Sequence, residues 1–193
     1  MRERGPWTIP NALTALRLVL TPFFAAALLA GDLPRAWLLF LLAGVSDGLD
    51  GLLARLLDQR SSLGRVLDPL ADKLLLGTAF ALLAWTGRLP VWLTVLAVGR
   101  DVVILAGLAA LRRAGVEVFG RIRPTLVSKL NTLCQLVLTF LTLSEAAGGG
   151  PYLGGVPRDL LIVLAGLLAV ASGVRYVRQG LALRPARQGA PAG

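Results

Sequence analysis

Apolar segments of transmembrane length follow one another along almost the whole chain. There are six, covering approximately residues 12–30, 36–57, 68–87, 90–111, 125–145 and 158–178. A helix that crosses a bilayer needs about 20 predominantly apolar residues. Short stretches with turn-forming residues, such as 31–34 and 148–151, separate several of the segments. The sequence therefore predicts an all-α, polytopic membrane protein with six transmembrane helices in one domain over 1–182 and a disordered basic tail over 183–193.

The distribution of lysine and arginine predicts how these helices are oriented. Fifteen of the 20 basic residues fall at one set of segment ends and three at the other, while Arg17 and Arg100 lie inside segments. Cytoplasmic loops carry the excess of basic residues, so both termini are predicted to be cytoplasmic. Arg17 and Pro22 interrupt the first segment, so it is expected to be a retained helix and not a cleaved signal peptide.

Composition narrows the chemistry that the chain can perform. The formal net charge is +9, and the chain has one cysteine and no histidine. Because the basic residues lie at segment ends, their excess indicates an anionic membrane surface, and no nucleic-acid partner is expected. A disulfide within the chain and a Cys/His zinc site are excluded. Acid–base or metal chemistry must therefore depend on carboxylates.

Four aspartates lie at helical spacing in the predicted cytoplasmic halves of the second and third segments. Asp47 and Asp50 are three residues apart and share a face, as do Asp68 and Asp72, which are four apart. A charged side chain deep in a membrane helix costs roughly 2.5–3.5 kcal/mol, so four unpaired aspartates would cost on the order of 10 kcal/mol. The pair Asp68-Pro69 alone is typical of a helix start, but a helix cap does not explain the other three acids.

Divalent cations give the simplest explanation for this cluster of acids. Mg²⁺ and Mn²⁺ prefer oxygen ligands and often share a few carboxylates with substrate phosphates. Two such ions could hold a diphosphate and neutralise the leaving group, while one carboxylate deprotonates an attacking hydroxyl. Arg55, which follows on the same stripe, could donate a forked pair of hydrogen bonds to a phosphate.

This region resembles a known signature. The pattern D-x-x-D-G-x-x-A-R-x8-G-x3-D-x3-D of the CDP-alcohol phosphatidyltransferases is matched at every fixed position, by Asp47, Asp50, Gly51, Ala54, Arg55, Gly64, Asp68 and Asp72. The resemblance implies a six-helix membrane enzyme, usually a homodimer, that displaces CMP from a CDP-linked lipid with the hydroxyl of an acceptor alcohol.

The same resemblance implies a role for each matched residue. Asp47, Asp50 and Asp68 correspond to the main ligands of two divalent ions, Mg²⁺ or Mn²⁺, and Asp72 completes the metal site and serves as the general base. The positions that resemble those holding the cytidine and its diphosphate are Gly51, Ala54, Arg55 and Gly64. The active site is expected to face the cytoplasm.

A second segment favours one acceptor. Residues 121–132 resemble the segment R-x-K-P-T-x-x-S-K-x-N-T of the mitochondrial-type cardiolipin synthases, with Arg123 in place of the lysine. This resemblance favours CDP-diacylglycerol as the donor, phosphatidylglycerol as the acceptor and cardiolipin as the product. The alternative is a phosphatidylglycerophosphate synthase that uses sn-glycerol 3-phosphate, because residues 9–17 and 99–101 resemble segments found in both groups.

Either acceptor carries a phosphate, so basic residues are expected to bind it. The candidates are Arg100, Arg121, Arg123, Lys129 and Arg175. Each could instead be an anchor at the membrane surface, and Arg100 could form a structural ion pair with Asp101. An ion or proton transporter is an alternative of another class, but its acids should be spread across the membrane, whereas here they cluster near one face.

Overall fold

A computed structural model of the chain describes residues 9–56, 64–113, 125–149 and 158–182, and for residues 9–10, 48–56 and 64–66 it describes the backbone alone. Within these ranges the chain forms six α-helices and no β-strand. In chain order they are α1 (Ile9–Leu29), α2 (Leu33–Leu56), α3 (Gly64–Trp85), α4 (Val91–Arg113), α5 (Leu126–Ala146) and α6 (Arg158–Ala182). Each helix corresponds to one predicted apolar segment, so the all-α prediction is confirmed.

Turn and cap residues explain why the observed helix ends differ by a few residues from the predicted ones. Gly31, Gly87 and Gly148 have φ values of 76°, 70° and 89°, which only glycine adopts readily, and they follow the ends of α1, α3 and α5. Asp32 accepts a hydrogen bond from the backbone N–H of Arg35, so α2 begins at Leu33 and not at residue 36. The third helix begins at Gly64 and not at residue 68, which places Asp68 inside α3 and shows that it is not the helix cap.

A core of aliphatic and phenylalanine side chains holds the helices together. The rings of Phe24 on α1 and Phe40 on α2 lie 5.7 Å apart, and both side chains are buried. Phe80 and Leu83 of α3 and Leu138 of α5 extend the same core. As a result α1 packs against both α2 and α3, whereas α6 packs against α4 and α5. The packing of α1 matters for the site, since it brings the first helix beside both acidic helices.

The outer surface of the helices is apolar. Large side chains such as Phe23, Val95 and Leu167 are more than half exposed, as expected for contact with lipid and not with water. In the described part of the chain, α4, α5, α6 and the stretch Asn11–Leu29 of α1 are long and apolar enough to cross a membrane. These helices indicate an integral membrane protein. The six-span topology and the cytoplasmic position of both termini stay predictions, and the predicted tail lies outside the described residues.

Candidate active site

A buried arginine from α1 joins two of the predicted catalytic aspartates. Arg17 is fully buried, and its Nη2 atom lies 2.9 Å from Oδ1 of Asp47 on α2. Its Nη1 atom lies 2.5 Å from Oδ1 of Asp72 on α3. The remaining nitrogen, Nε, donates to the carbonyl oxygen of Ala43 at 3.3 Å. One planar guanidinium group therefore fixes the positions of carboxylates from two different helices.

Electrostatics explains why an arginine is found at this depth in an apolar helix. An isolated charge of either sign in the membrane interior is costly, and an ion pair reduces that cost. Arg17 carries one positive charge and contacts two carboxylates, each of which is 42% exposed. The cluster therefore keeps an excess of negative charge that faces an open space, and such a site attracts cations.

A third aspartate is also held by α1. The hydroxyl of Thr14, one turn before Arg17, donates a hydrogen bond to Oδ1 of Asp68 at 2.5 Å. Thr14 is fully buried, and the hydrogen bond to Asp68 is partly buried. The first helix thus contacts Asp47, Asp68 and Asp72, and it orients three of the four aspartates of the signature.

Asp47 and Asp72 face a cavity of about 190 Å³, called here the acidic cavity. Asp47, Asp72 and Arg17 form part of its wall. Other described residues that line it are Phe40, Ala43, Gly44, Pro69, Lys73, Leu75, Leu76, Asp101, Thr132, Gln135 and Leu136. The cavity therefore lies between α1, α2 and α3 on one side and α4 and α5 on the other. In addition to Arg17, Asp47 and Asp72, one more cationic side chain (Lys73) and one more anionic side chain (Asp101) line the cavity.

A second charged group borders the acidic cavity on the side of α4. Nζ of Lys73 lies 2.6 Å from Oδ1 of Asp101. The same oxygen lies 2.5 Å from Nη1 of Arg100, so the predicted Arg100–Asp101 pair is present. Lys73 directly follows Asp72 in α3 and is the cation of this group that lines the cavity.

Arg100 is bound to protein groups on several helices. It is 8% exposed, and its Nη2 atom donates to the hydroxyls of Ser128 on α5 and Ser172 on α6, the latter at 2.7 Å. Its guanidinium carbon also lies 5.7 Å from the centre of the Tyr176 ring. These contacts tie α4 to α5 and α6. A role for Arg100 in binding the acceptor phosphate stays a prediction.

The other predicted site residues fall into two groups. Lys129, at the start of α5, and Arg175, on α6, are both exposed. The remaining positions lie outside the described residues or have only their helical backbone described, namely Asp50, Gly51, Ala54, Arg55, Gly64, Arg121 and Arg123. Their roles stay predictions.

The donor set fits a hard divalent cation. Among the described side chains no three candidate ligands are grouped around one point. Asp47 and Asp72, however, share Arg17 and line one cavity, and their chemistry is the carboxylate oxygen that Mg²⁺ and Mn²⁺ prefer. Mg²⁺ sites commonly combine one or two carboxylates with substrate phosphates and water, which does not require a complete protein cage.

Sequence reasoning missed three residues that border or support this site. In the sequence Arg17 is a charge inside an apolar segment, and no motif assigns a role to Thr14 or Lys73. A buried arginine in a membrane helix requires an acidic partner, so Arg17 could have been found from its position alone. For Thr14 no comparable signal exists, since a threonine in a helix commonly bonds its own backbone.

Comparison with known proteins identifies one matching family and several named relatives. The family model for CDP-alcohol phosphatidyltransferase matches residues 7–176. A human cardiolipin synthase (CMP-forming) is 35% identical over 190 residues, covering 91% of this chain and 62% of its own length. A probable phosphatidylglycerophosphate synthase of Mycobacterium tuberculosis is 37% identical over 180 residues, covering 90% of this chain and 81% of its own. A cardiolipin synthase (CMP-forming) of Streptomyces coelicolor is 44% identical over 114 residues, covering 56% and 53%.

The family match covers most of the chain. The relatives are named for two different products, cardiolipin and phosphatidylglycerophosphate. The chain spans 62% of the length of the human protein. The family match includes α1 to α5, most of α6 and all four aspartates of the signature. Because the family model matches residues 7–176, which is most of the chain, the chain belongs to the CDP-alcohol phosphatidyltransferase family.

Proposed function

We propose that this protein transfers a phosphatidyl group from CDP-diacylglycerol to the hydroxyl of phosphatidylglycerol, forming cardiolipin and CMP. The observation that carries this proposal is the meeting of Asp47 and Asp72, from different helices, around Arg17 in one cavity. Acids gathered at one point favour a local reaction site over an ion pathway across the membrane. We further propose a homodimer with its active site on the cytoplasmic side.

The carboxylates supply the sites for metal and base. Members of the family generally depend on divalent metal ions. Asp47, Asp50, Asp68 and Asp72 would hold two such ions, Mg²⁺ or Mn²⁺, which supply charge neutralisation for the diphosphate when bound. Gly51 and Ala54 are small enough to let the nucleotide approach the helix backbone, and Arg55 and Gly64 complete this proposed CDP subsite.

The reaction is a single displacement at phosphorus. The acceptor hydroxyl oxygen forms a bond to the phosphorus that carries the diacylglycerol, and its proton passes to the carboxylate of Asp72. The bond from that phosphorus to the bridging oxygen of the diphosphate breaks, and CMP leaves with the electron pair. Arg17 holds Asp72 in place by its contact of 2.5 Å. No covalent enzyme intermediate is required, since none of the fixed positions of the signature is a serine, cysteine or histidine.

The identity of the acceptor alcohol is proposed from the sequence of residues 121–132 and from the names of the relatives. Residues 121–132 resemble the cardiolipin synthase segment, and the human relative carries that name. The relative from M. tuberculosis is named for phosphatidylglycerophosphate synthesis, so sn-glycerol 3-phosphate is the second candidate acceptor. Both acceptors are anionic, and Arg121, Arg123, Lys129 and Arg175 are the basic residues proposed to attract them.

A turnover assay tests the proposed reaction. The purified full chain in detergent receives CDP-diacylglycerol and Mg²⁺ or Mn²⁺, with phosphatidylglycerol in one sample and sn-glycerol 3-phosphate in another. Release of CMP with formation of cardiolipin in the first sample supports the proposal. Product only in the second sample would make the protein a phosphatidylglycerophosphate synthase, and CMP in neither sample would contradict both acceptors.

Removing one proposed metal ligand should change the metal requirement itself. We expect Asp47→Asn to raise the half-saturating Mg²⁺ concentration by about tenfold or more, because an amide is a weaker ligand than a carboxylate. The measurement is CMP release over a series of Mg²⁺ concentrations. Asp159→Asn, which changes an exposed carboxylate in the first turn of α6, is the control and should leave the titration unchanged. A titration of Asp47→Asn that matches wild type would contradict the ligand assignment.

A further inference from the structure

A buried amide on α5 has a side-chain nitrogen without a hydrogen-bond partner. Gln135 is 3% exposed, and its Nε2 atom contacts no acceptor in the part of the chain that the structure describes. A buried donor left without a partner is costly, so native proteins rarely retain one without a reason. Gln135 also forms part of the wall of the acidic cavity, so a bound molecule could supply the missing acceptor.

Gln135 lies where the acidic cavity meets a second, apolar one. This second cavity, of about 160 Å³, lies between α3 and α4 and is called here the α3–α4 groove. Its apolar wall includes Leu74, Phe80, Ala97 and Val102. The two cavities share four lining residues, Lys73, Leu76, Asp101 and Gln135.

The side of the groove away from the core is open. Leu74, Val98, Val102 and Leu105 line the groove and are also between 37% and 58% exposed. These apolar residues lie on helices α3 and α4, and α4 is long and apolar enough to cross a membrane. An apolar chain could therefore enter the groove from the lipid without crossing water.

This arrangement matches one chemical class of ligand. A molecule that occupies both cavities must be anionic near Lys73 and near the metal ions that Asp47 and Asp72 would hold, and it must be apolar in the groove. Between the two cavities it must be able to accept a hydrogen bond. A phospholipid has these features in this order, with the ester carbonyl of its glycerol located between the phosphate and the acyl chain. The polarity of the two adjoining cavities therefore favours a diacyl phospholipid.

We infer that the amide of Gln135 donates a hydrogen bond to an ester carbonyl of a phospholipid substrate whose acyl chain lies in the α3–α4 groove. This inference rests on the proposed function and deepens it, because it makes Gln135 a residue that selects an acylated substrate. Two substrates carry such an ester, CDP-diacylglycerol and phosphatidylglycerol. The chemistry that Gln135 recognises is the same in both.

The first test varies the substrate and leaves the protein unchanged. Ether-linked CDP-dialkylglycerol and dialkyl phosphatidylglycerol lack the carbonyl but keep the chains and the headgroup. For the wild-type enzyme we expect the KM of the substrate that Gln135 contacts to rise by about two- to tenfold when ester is replaced by ether, the range for one neutral hydrogen bond. A rise for CDP-dialkylglycerol assigns the groove to the donor, and a rise for the dialkyl acceptor assigns it to the acceptor. Equal KM values for ester and ether forms of both lipids would overturn the inference.

The second test combines that comparison with a variant. Gln135→Leu removes the donor at similar volume, so it should raise the KM of the ester substrate by the same factor and should no longer distinguish ester from ether. Thr142→Val is the matched control, because Thr142 is also buried on α5, its hydroxyl also lacks a partner among the described residues, and it lines neither cavity. A variant that still prefers the ester as strongly as wild type would overturn the role of Gln135.

Failure of the inference can be separated from failure of the proposed function. If the enzyme uses sn-glycerol 3-phosphate and not phosphatidylglycerol, the donor comparison still tests Gln135. If no CMP is released with either acceptor, binding of ester-linked and ether-linked CDP-lipids to the purified chain gives the same comparison without turnover. Equal affinities in that binding experiment would contradict the inference independently of the reaction.

Discussion

Replacing Asp72 by asparagine should lower the turnover number by about 10²–10⁴, the usual effect of losing a general base. Asparagine keeps the size of the side chain but cannot accept the proton of the acceptor hydroxyl at neutral pH. The measurement is CMP release at saturating CDP-diacylglycerol, acceptor and Mg²⁺. Saturation matters because Asp72 is also a proposed metal ligand, and excess Mg²⁺ separates the loss of the base from weaker metal binding.

Two further measurements make this result specific. Binding of CDP-diacylglycerol to Asp72→Asn should stay within a few-fold of wild type, since the other aspartates are unchanged. Asp159→Asn, with its exposed carboxylate, controls for a general effect of removing negative charge and should turn over normally. Near-normal turnover of Asp72→Asn would show that another group accepts the proton.

Replacing Arg17 by leucine should both destabilise the protein and abolish most of its activity. The substitution leaves Asp47 and Asp72 without their shared cation, and removing one partner of a buried ion pair costs about 3–5 kcal/mol. We expect the free energy of unfolding to fall by about 3 kcal/mol, at the low end of this range, because the two carboxylates are 42% exposed and partly solvated. The measurements are the apparent Tm of the purified chain in detergent and CMP release below that temperature.

A conservative variant separates charge from geometry. Arg17→Lys keeps the positive charge but presents one ammonium group in place of a fork that contacts Asp47, Asp72 and Ala43 together. We expect it to recover most of the lost Tm and only part of the lost activity. Arg113→Leu removes an exposed arginine at the end of α4 and should leave both quantities unchanged. A wild-type Tm and turnover in Arg17→Leu would mean that the carboxylates do not depend on this arginine.

Much of the fold could be predicted from the sequence because membrane helices have a strong local signal. The length of an apolar segment and the glycine- and proline-containing turns between segments determine where each helix lies, to within about four residues here. The exact positions of the helix ends are harder to predict, because each depends on a single capping residue. The cap at Asp32 makes α2 begin three residues before the predicted start at residue 36. The third helix begins at Gly64, so Asp68 and Pro69 lie inside it, although this pair of residues resembles a helix start.

The candidate site could be predicted in part for the same reason. The spacing of Asp47 with Asp50 and of Asp68 with Asp72 places each pair on one helix face, and such spacing is visible in a single sequence. The partners of these acids were not visible. Arg17 is 30 residues from Asp47 and 55 from Asp72 along the chain, and Thr14 is 54 residues from Asp68.

The sequence by itself determined that this chain forms long apolar helices and that its carboxylates lie on two of them at fixed spacing, because helix length and helix face follow from residues close together in the chain. Only the tertiary structure decided which helices meet. The packing of α1 against α2 and α3 makes Arg17 the shared partner of two aspartates, and the position of α5 brings Gln135 to the boundary between a charged cavity and an apolar one. These contacts depend on side-chain packing between distant segments, which no local pattern encodes.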